Sequence, residues 1–437
     1  TYSIDITYTD RSGNEMASYH SERIVLDRTP PEVEKYEFIP AASDGTAETS
    51  DFIEYLEYGY YFKTDFDVVV TASDTVSGMD RIDYRLVSYE NGEKKAETAG
   101  SAPVSEGKAR ISVPSGFKGQ IYAEGFDNAG NSSEEVTSRA FVMDGSAPEV
   151  EIADGNSTEY TDAGGNALYV SDISITVSDT DRTSGIREIV YAQASEKGAA
   201  ERKITLDNTG YRAGDQLEDG WLVAETDENL VTKLSRTFVY QTDHNDIVLS
   251  VSASDRAGNE ADTVSSRRFT IDKTAPVIDV VFRDDDDSDL YYNADRIADV
   301  TVTERNFDEE LINTDITNEI GDVPEAVFTK VSEDTYTAQI VFDEGDYTFE
   351  ITGSDLGGHE AAVNYAGGNE HLFYVDKTTP AVTDNFAEFS KPQTENSFPK
   401  EKNVSISVIE HHFDPDLMGL RVYAKEAGAE HSADRME

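Results

Sequence analysis

Ile247-Val248-Leu249-Ser250-Val251-Ser252-Ala253-Ser254-Asp255-Arg256-Ala257-Gly258-Asn259 is the stretch that decides the fold of this chain. Positions 247, 249, 251 and 253 are apolar and alternate with polar ones, the period of a strand buried on one face. The strand closes on Asp-x-small-Gly-Asn, a turn sequence of the kind that joins hairpin strands. A second strand with inward Phe269 and Ile271 then ends at Asp272-Lys273-Thr274-Ala275-Pro276.

The same two phrases recur along the chain. Tyr2, Ile4, Ile6 and Tyr8 lead inward-facing to Asp10-Arg11-Ser12-Gly13-Asn14, and Ile24 and Leu26 lead to Asp27-Arg28-Thr29-Pro30. Asp127-Asn128-Ala129-Gly130-Asn131 precedes Phe141, Met143 and Asp144-Gly145-Ser146-Ala147-Pro148. Tyr347, Phe349 and Ile351 precede a degenerate copy, Asp355-Leu356-Gly357-Gly358-His359, followed by Phe373, Val375 and Asp376-Lys377-Thr378-Thr379-Pro380. The paired aspartates lie 17 residues apart in three copies and 21 in the last. Such regular spacing marks tandem structural units. Complete units are expected at 28–144, 145–272 and 273–376, with 1–27 the tail of an earlier unit and 377–437 the opening of a later one.

A third landmark lies earlier in each unit. Phe66, Val68, Val70 and Ala72 alternate up to Asp74, and Ile173, Ile175 and Val177 up to Asp179. Val300 and Val302 lead to Glu304, and Val404, Ile406 and Val408 to Glu410. Ser-Gly follows at 77–78 and 184–185, whereas the later units carry Glu304-Arg305-Asn306-Phe307-Asp308 and Glu410-His411-His412-Phe413-Asp414, so there are two subtypes. Many short strands, regular turn signals and about 100 residues per unit predict an all-β fold of immunoglobulin-like sandwiches in tandem, arranged as an elongated monomeric rod. Residues 39–51 and 91–107 read as loops, and Trp221 as core. Phe62, Tyr292 and Phe398 fall twelve residues before the Asp or Glu that ends the second strand, which favours edge packing. The surplus Tyr58 and Tyr60 offer a glycan-stacking surface.

Composition narrows the function. With 88 acidic and 36 basic residues the net charge is −52, a field that repels nucleic acid and anionic lipid and attracts cations. Charge of this size with few apolar residues indicates disorder, but 23 Tyr, 19 Phe and the alternating segments argue for folded, thin-cored domains. The absence of cysteine removes disulfides, zinc–thiolate sites and cysteine catalysis. No apolar run is long enough to span a membrane.

The phrases at 255–259 with 272–276, and at 127–131 with 144–148, resemble the bacterial immunoglobulin-like repeats of large surface proteins and adhesins. The resemblance is looser at 355–359, where His359 replaces Asn. It implies an extracellular, surface-displayed repeat protein anchored outside this segment. It also implies calcium bound by acidic residues at the junctions, stiffening the rod.

Topology leads to the same residues without the family. In such a sandwich the ends of the second and sixth strands lie at the pole where the chain enters. Asp27, Asp74 and Asp127 are therefore expected to gather, as are Asp144, Asp179 and Asp255, then Asp272, Glu304 and Asp355, with Asp376 and Glu410 opening a fourth group. Carboxylates so close repel one another unless a cation lies between them. Calcium, which takes 6–8 oxygen ligands at about 2.3–2.6 Å, is the fitting one. The alternative is turn capping, in which each Asp accepts hydrogen bonds from backbone amides two or three residues on. The run Asp284-Asp285-Asp286-Asp287-Ser288-Asp289 lacks the EF-hand glycine and distal glutamate and reads as a solvated loop.

Other chemistry is sparse. His20, His244, His359, His371 and His431 are scattered, and His411-His412, as neighbours on a strand, are expected on opposite faces rather than on one metal. Nucleophile-elbow, phosphate-loop and zinc-protease signatures are missing. Lys273 and Lys377 sit in polar linkers unsuited to an isopeptide bond. The reading is a non-enzymatic extracellular stalk or adhesion region. The alternatives are a repeat that itself binds glycan or a host-surface protein, and accessory domains of a secreted carbohydrate-active enzyme.

Overall fold

The structure, a computed structural model, describes residues 1–40, 52–53, 60–90, 92–206, 210–227, 230–283, 290–366, 372–385 and 403–421. Tyr58, the acidic run 284–289, His371, Phe398 and His431 lie outside them, as does 41–51 of the expected first loop. The described chain is all-β, with only short 3-10 turns such as Glu218–Gly220 and Glu309–Leu311 besides strands. It forms two compact units, Thr1–Thr274 with Leu356–His359, and Ala275–Asp355 with Glu360–Glu437.

In the first unit, strands Glu32–Pro40, Phe66–Ser73 and Lys108–Ser112 form one sheet. It faces a second, centred on Met79–Glu90, Lys118–Asp127 and Phe141–Met143. Val68, Val70 and Ala72 from one face meet Ile82, Ile121, Ala123 and Phe141 from the other in a single core. Period-two alternation sends every second side chain to that interior, so the core is read directly off the strands. Phe62 belongs to it, stacked on Phe66 with ring centroids 3.9 Å apart.

The second pair of sheets repeats the plan. Glu149–Asp154, Ile173–Thr180, Leu230–Tyr240 and Leu222–Asp227 oppose a sheet built on Ile186–Ser195, His244–Asp255 and Phe269–Ile271. Trp221 is fully buried against Tyr191 and Phe238. The two sandwiches dock on one another: Tyr61 and Val142 pack on Leu230 and Ala257, and Lys118 Nζ lies 2.6 Å from Asp227 Oδ2.

The second unit places Val277–Phe282, Arg296–Thr303, Thr335–Phe342 and Ala362–Ala366 against Ile312–Asn318, Gly345–Gly353, Leu372–Val375 and Tyr291–Tyr292. Its core contains an unexpected cation. Arg296 is buried with its guanidinium 3.8 Å from the Phe282 ring centre, 4.3 Å from Tyr292 and 4.5 Å from Phe373. Burial among aromatic faces offsets part of its desolvation.

Two expectations need correction. Glu93–Pro103, expected as loop, is a strand paired along its length with Met79–Glu90. It is an edge strand with one buried side chain, Ala102, so its backbone ladder is invisible to hydrophobic periodicity. Tyr2, Ile4, Ile6, Tyr8, Ile24 and Leu26, expected inward, are exposed. Their hairpin, Asp5–Ile6 with Tyr19–His20, is a two-stranded sheet that among the described residues has no second sheet against its apolar face.

Candidate metal centres

Asp27, Asp74 and Asp127 meet, with carboxylate oxygens within 4.8 Å of one another. Each aspartate also caps a turn. Asp27 Oδ1 accepts the Thr29 amide at 2.9 Å, and Oδ2 the Ser77 amide at 3.0 Å. Asp74 Oδ1 accepts the amides of Val76, Ser77 and Gly78 at 3.0, 2.8 and 2.8 Å. Asp127 accepts the Ala129 and Asn131 amides at 2.9 and 2.8 Å, and the Asn131 side chain at 2.7 Å. The Thr29 hydroxyl and amide hold Asp27 down to about 2. For Asp127, desolvation pushes upward, but the Asn131 and Ala129 hydrogen bonds together outweigh it and the carboxyl is lowered. Capping and convergence thus occur in the same side chains.

The second group is more deeply buried and one member differs from expectation. Asp144, Asp181 and Asp255 bring oxygens within 4.8 Å of one another, all three buried. Asp179 lies beside them rather than in the ring. It ends the alternation of Ile173, Ile175 and Val177 and points into the interior with no exposure. Neither Asp179 oxygen has a hydrogen-bond partner in good geometry. Asp181 occupies the role that Asp74 plays in the preceding repeat. Its Oδ1 accepts the Thr183 and Gly185 amides at 3.1 and 2.7 Å, while Ser184 donates to Asp144 Oδ2 at 3.1 Å as Ser77 does to Asp27. Counting from the Ser-Gly pair would have found it: Asp74 is three residues before Ser77, and Asp181 three before Ser184. Residues 179–184 hold two more positions than 74–77, so counting along the strand chose the wrong aspartate.

Electrostatics separate the two groups. Burial, reinforced by Asp181 and Asp255, pushes the Asp179 carboxyl up to about 8, relieved only by the Thr180 amide. Burial and then Asp144 raise Asp181 to about 7. Burial raises Asp255 to about 6 despite two bonds from Asn259, its amide at 2.8 Å and its side chain at 2.7 Å. Three converging carboxylates, with Asp179 buried beside them and both its oxygens unsatisfied, form an all-oxygen donor set short of positive charge. Such a set fits a hard divalent cation, with calcium the match for its size and flexibility.

Asp272 is in the first unit, buried, with Oδ1 accepting the Thr274 amide at 3.3 Å. Glu304 and Asp355 are in the second, both buried, with carboxylate oxygens within 4.8 Å of each other. Glu304 Oε1 accepts the Asn306 amide at 2.6 Å. Asp376 Oδ1 accepts the Thr378 amide at 3.0 Å, and Glu410 Oε1 the His412 amide at 3.3 Å.

The histidine pair departs from expectation. Residues 411–412 form a turn after strand Ile406–Ile409, so strand alternation does not apply and both rings reach Asp346. His411 Nε2 lies 3.0 Å from Asp346 Oδ2, and His412 Nε2 lies 3.1 Å from Oδ1.

Neither a family model nor a curated protein matches the chain. Among solved structures it is similar to one described as giving structural insight into host cell surface retention of a 1.5-MDa bacterial ice-binding adhesin. That likeness has 13% identity and a TM-score of 0.24, covering 80% of this chain and 99% of the other. It is also similar to domains 4–9 of the surface layer protein SbsC, at 12% identity and a TM-score of 0.17, covering 81% of this chain and 49% of that one.

Proposed function

We propose that this chain is a non-enzymatic, extracellular stalk or adhesion segment of a bacterial surface protein. Its tandem immunoglobulin-like sandwiches are fixed end to end by calcium at their junctions. The observation that carries the reading is the Asp144–Asp181–Asp255 group with Asp179 beside it. These acids come from the linker, the second strand and the Gly-Asn turn, so an ion bound there ties the entry of one repeat to two of its own strand ends. The apolar contact of Tyr61 and Val142 with Leu230 and Ala257 gives the same junction a metal-independent hold. The Asp-x-Ala-Gly-Asn and Asp-Lys-Thr-Ala-Pro phrases support the repeat type, and display at a surface follows from it.

Small-angle scattering of the full chain in calcium and then in chelator tests the proposal. A longer, stiffer particle in calcium is expected, lost in chelator and in Asp181→Asn/Asp255→Asn. A profile indifferent to calcium, chelator and the double substitution overturns the metal-locked rod and leaves the aspartates as turn caps.

A further inference from the structure

The histidine–aspartate cluster of the second unit has chemistry that hard-cation sites lack. Asp346 and Tyr374 face each other across adjacent strands, and Tyr291 pairs with Tyr374 on the next. The core residues Tyr347 and Val375 point inward, so alternation sends Asp346 and Tyr374 to the outer face. The 411–412 turn covers that face. The His412 ring centroid lies 5.3 Å from that of Tyr291 and 4.8 Å from that of Tyr374, and its side chain is only 15% exposed.

Two contacts set the state of His412. Its Nδ1 lies 3.2 Å from Asp376 Oδ2, an acceptor for a ring proton on Nδ1. Nε2 then presents a lone pair toward Asp346 Oδ1 at 3.1 Å. Both atoms are closed off from solvent, and neither makes a hydrogen bond. An imidazole lone pair and a carboxylate oxygen at that distance need a positive charge between them, supplied by a second ring proton on Nε2 or by a metal ion. His411 Nε2, 3.0 Å from the other Asp346 oxygen, adds a third donor atom to the same small space. The three ligand atoms lie within 4.8 Å of one another. Metal bonds of about 2.0–2.1 Å place neighbouring ligand atoms roughly 3.0–3.4 Å apart, close to the spacings present here.

We propose that His411 Nε2, His412 Nε2 and the Asp346 carboxylate form a binding site for a borderline divalent transition metal, of which zinc is the representative. Asp376 acts as the outer partner that orients His412. Two imidazoles and one carboxylate suit zinc, nickel or copper and disfavour calcium, which selects oxygen donors. A carboxylate on the far nitrogen of a ligating histidine fixes tautomer and ring angle, which is the position of Asp376. A bound ion would pin the 411–412 turn to strand Gly345–Gly353.

Calorimetric titration of the metal-stripped full chain with zinc tests this, with nitrogen-detected NMR of the histidine rings as a second readout. Expected are a saturable zinc site unaffected by excess calcium and selective shifts of the His411 and His412 Nε2 resonances. Asp376→Asn should weaken zinc binding by about 10–100-fold, and His411→Ala or His412→Ala by at least as much. An isotherm unchanged in a folded His411→Ala/His412→Ala protein overturns the site. If that variant does not fold, wild-type spectra in which zinc leaves both rings unperturbed overturn it equally.

Discussion

Asp179 and Asp181 are two residues apart and do different things. Asp179 continues the parity of Ile173, Ile175 and Val177, so its carboxylate is carried inward, while Asp181, past the strand end, is free to cap the Ser-Gly turn. The folded pKa values of Asp179, Asp181 and Asp255 lie above the ordinary 3.8, near 8, 7 and 6. A carboxylate raised on folding holds its proton more tightly in the native state. Its stabilising contribution is therefore complete below about pH 4 and is lost as pH rises through 6 to 8. In chelator, the melting temperature of the first unit should fall across that window, and saturating calcium should flatten the fall. Chelator melts of Asp179→Asn should lose much of the slope; an unchanged slope would place its origin elsewhere. Trp221→Ala, which opens a cavity beside Tyr191 and Phe238, should cost about 3–5 kcal/mol in denaturant unfolding.

At the scale of elements, the contact between the two sandwiches of the first unit turns on a buried ion pair. Side-chain exposures of 7% for Lys118 and 13% for Asp227 mean that removing one partner takes a close counter-charge from a poorly solvated ion. Lys118→Ala should destabilise by about 3–5 kcal/mol, whereas the double change Lys118→Met/Asp227→Leu should recover most of it. A double-mutant cycle on the unfolding free energy checks this. Gly119, beside Lys118 on the same strand, shows how closely the sheet is packed. A Cβ there would sit 2.0 Å from the Val87 carbonyl oxygen, so Gly119→Ala must displace backbone. It should lower stability by about 1–3 kcal/mol, read from the same unfolding curves.

For the whole molecule, the charge of −52 sets a self-repulsion that thin sandwich cores must withstand. Monovalent salt screens it over a Debye length of about 10 Å at 0.1 M, so melting temperature should climb gradually with sodium chloride. If the proposed calcium sites exist, calcium at the same ionic strength should raise it further, because a ligated ion neutralises the clustered carboxylates more than a diffuse atmosphere does. Equal effects of sodium and calcium would remove the case for specific sites.

Alternation was enough to determine an all-β chain and the core positions of its sandwiches, and strand topology pointed to Asp27, Asp74 and Asp127, which come together. The fold class and core follow from local periodicity, because a strand with one buried face writes its own inside and outside, and the aspartates follow from strand direction in a sandwich. Only the tertiary structure decided that Asp181 replaces Asp179 in the ring, since a two-residue lengthening shifts which acid leaves the strand. It alone made Glu93–Pro103 an edge strand held by backbone bonds, and buried Arg296 among aromatic faces. It alone joined His411 and His412 on Asp346, a residue 65 positions away from His411. Turns, edges and long-range pairings depend on which surfaces meet, and sequence periodicity carries no record of that.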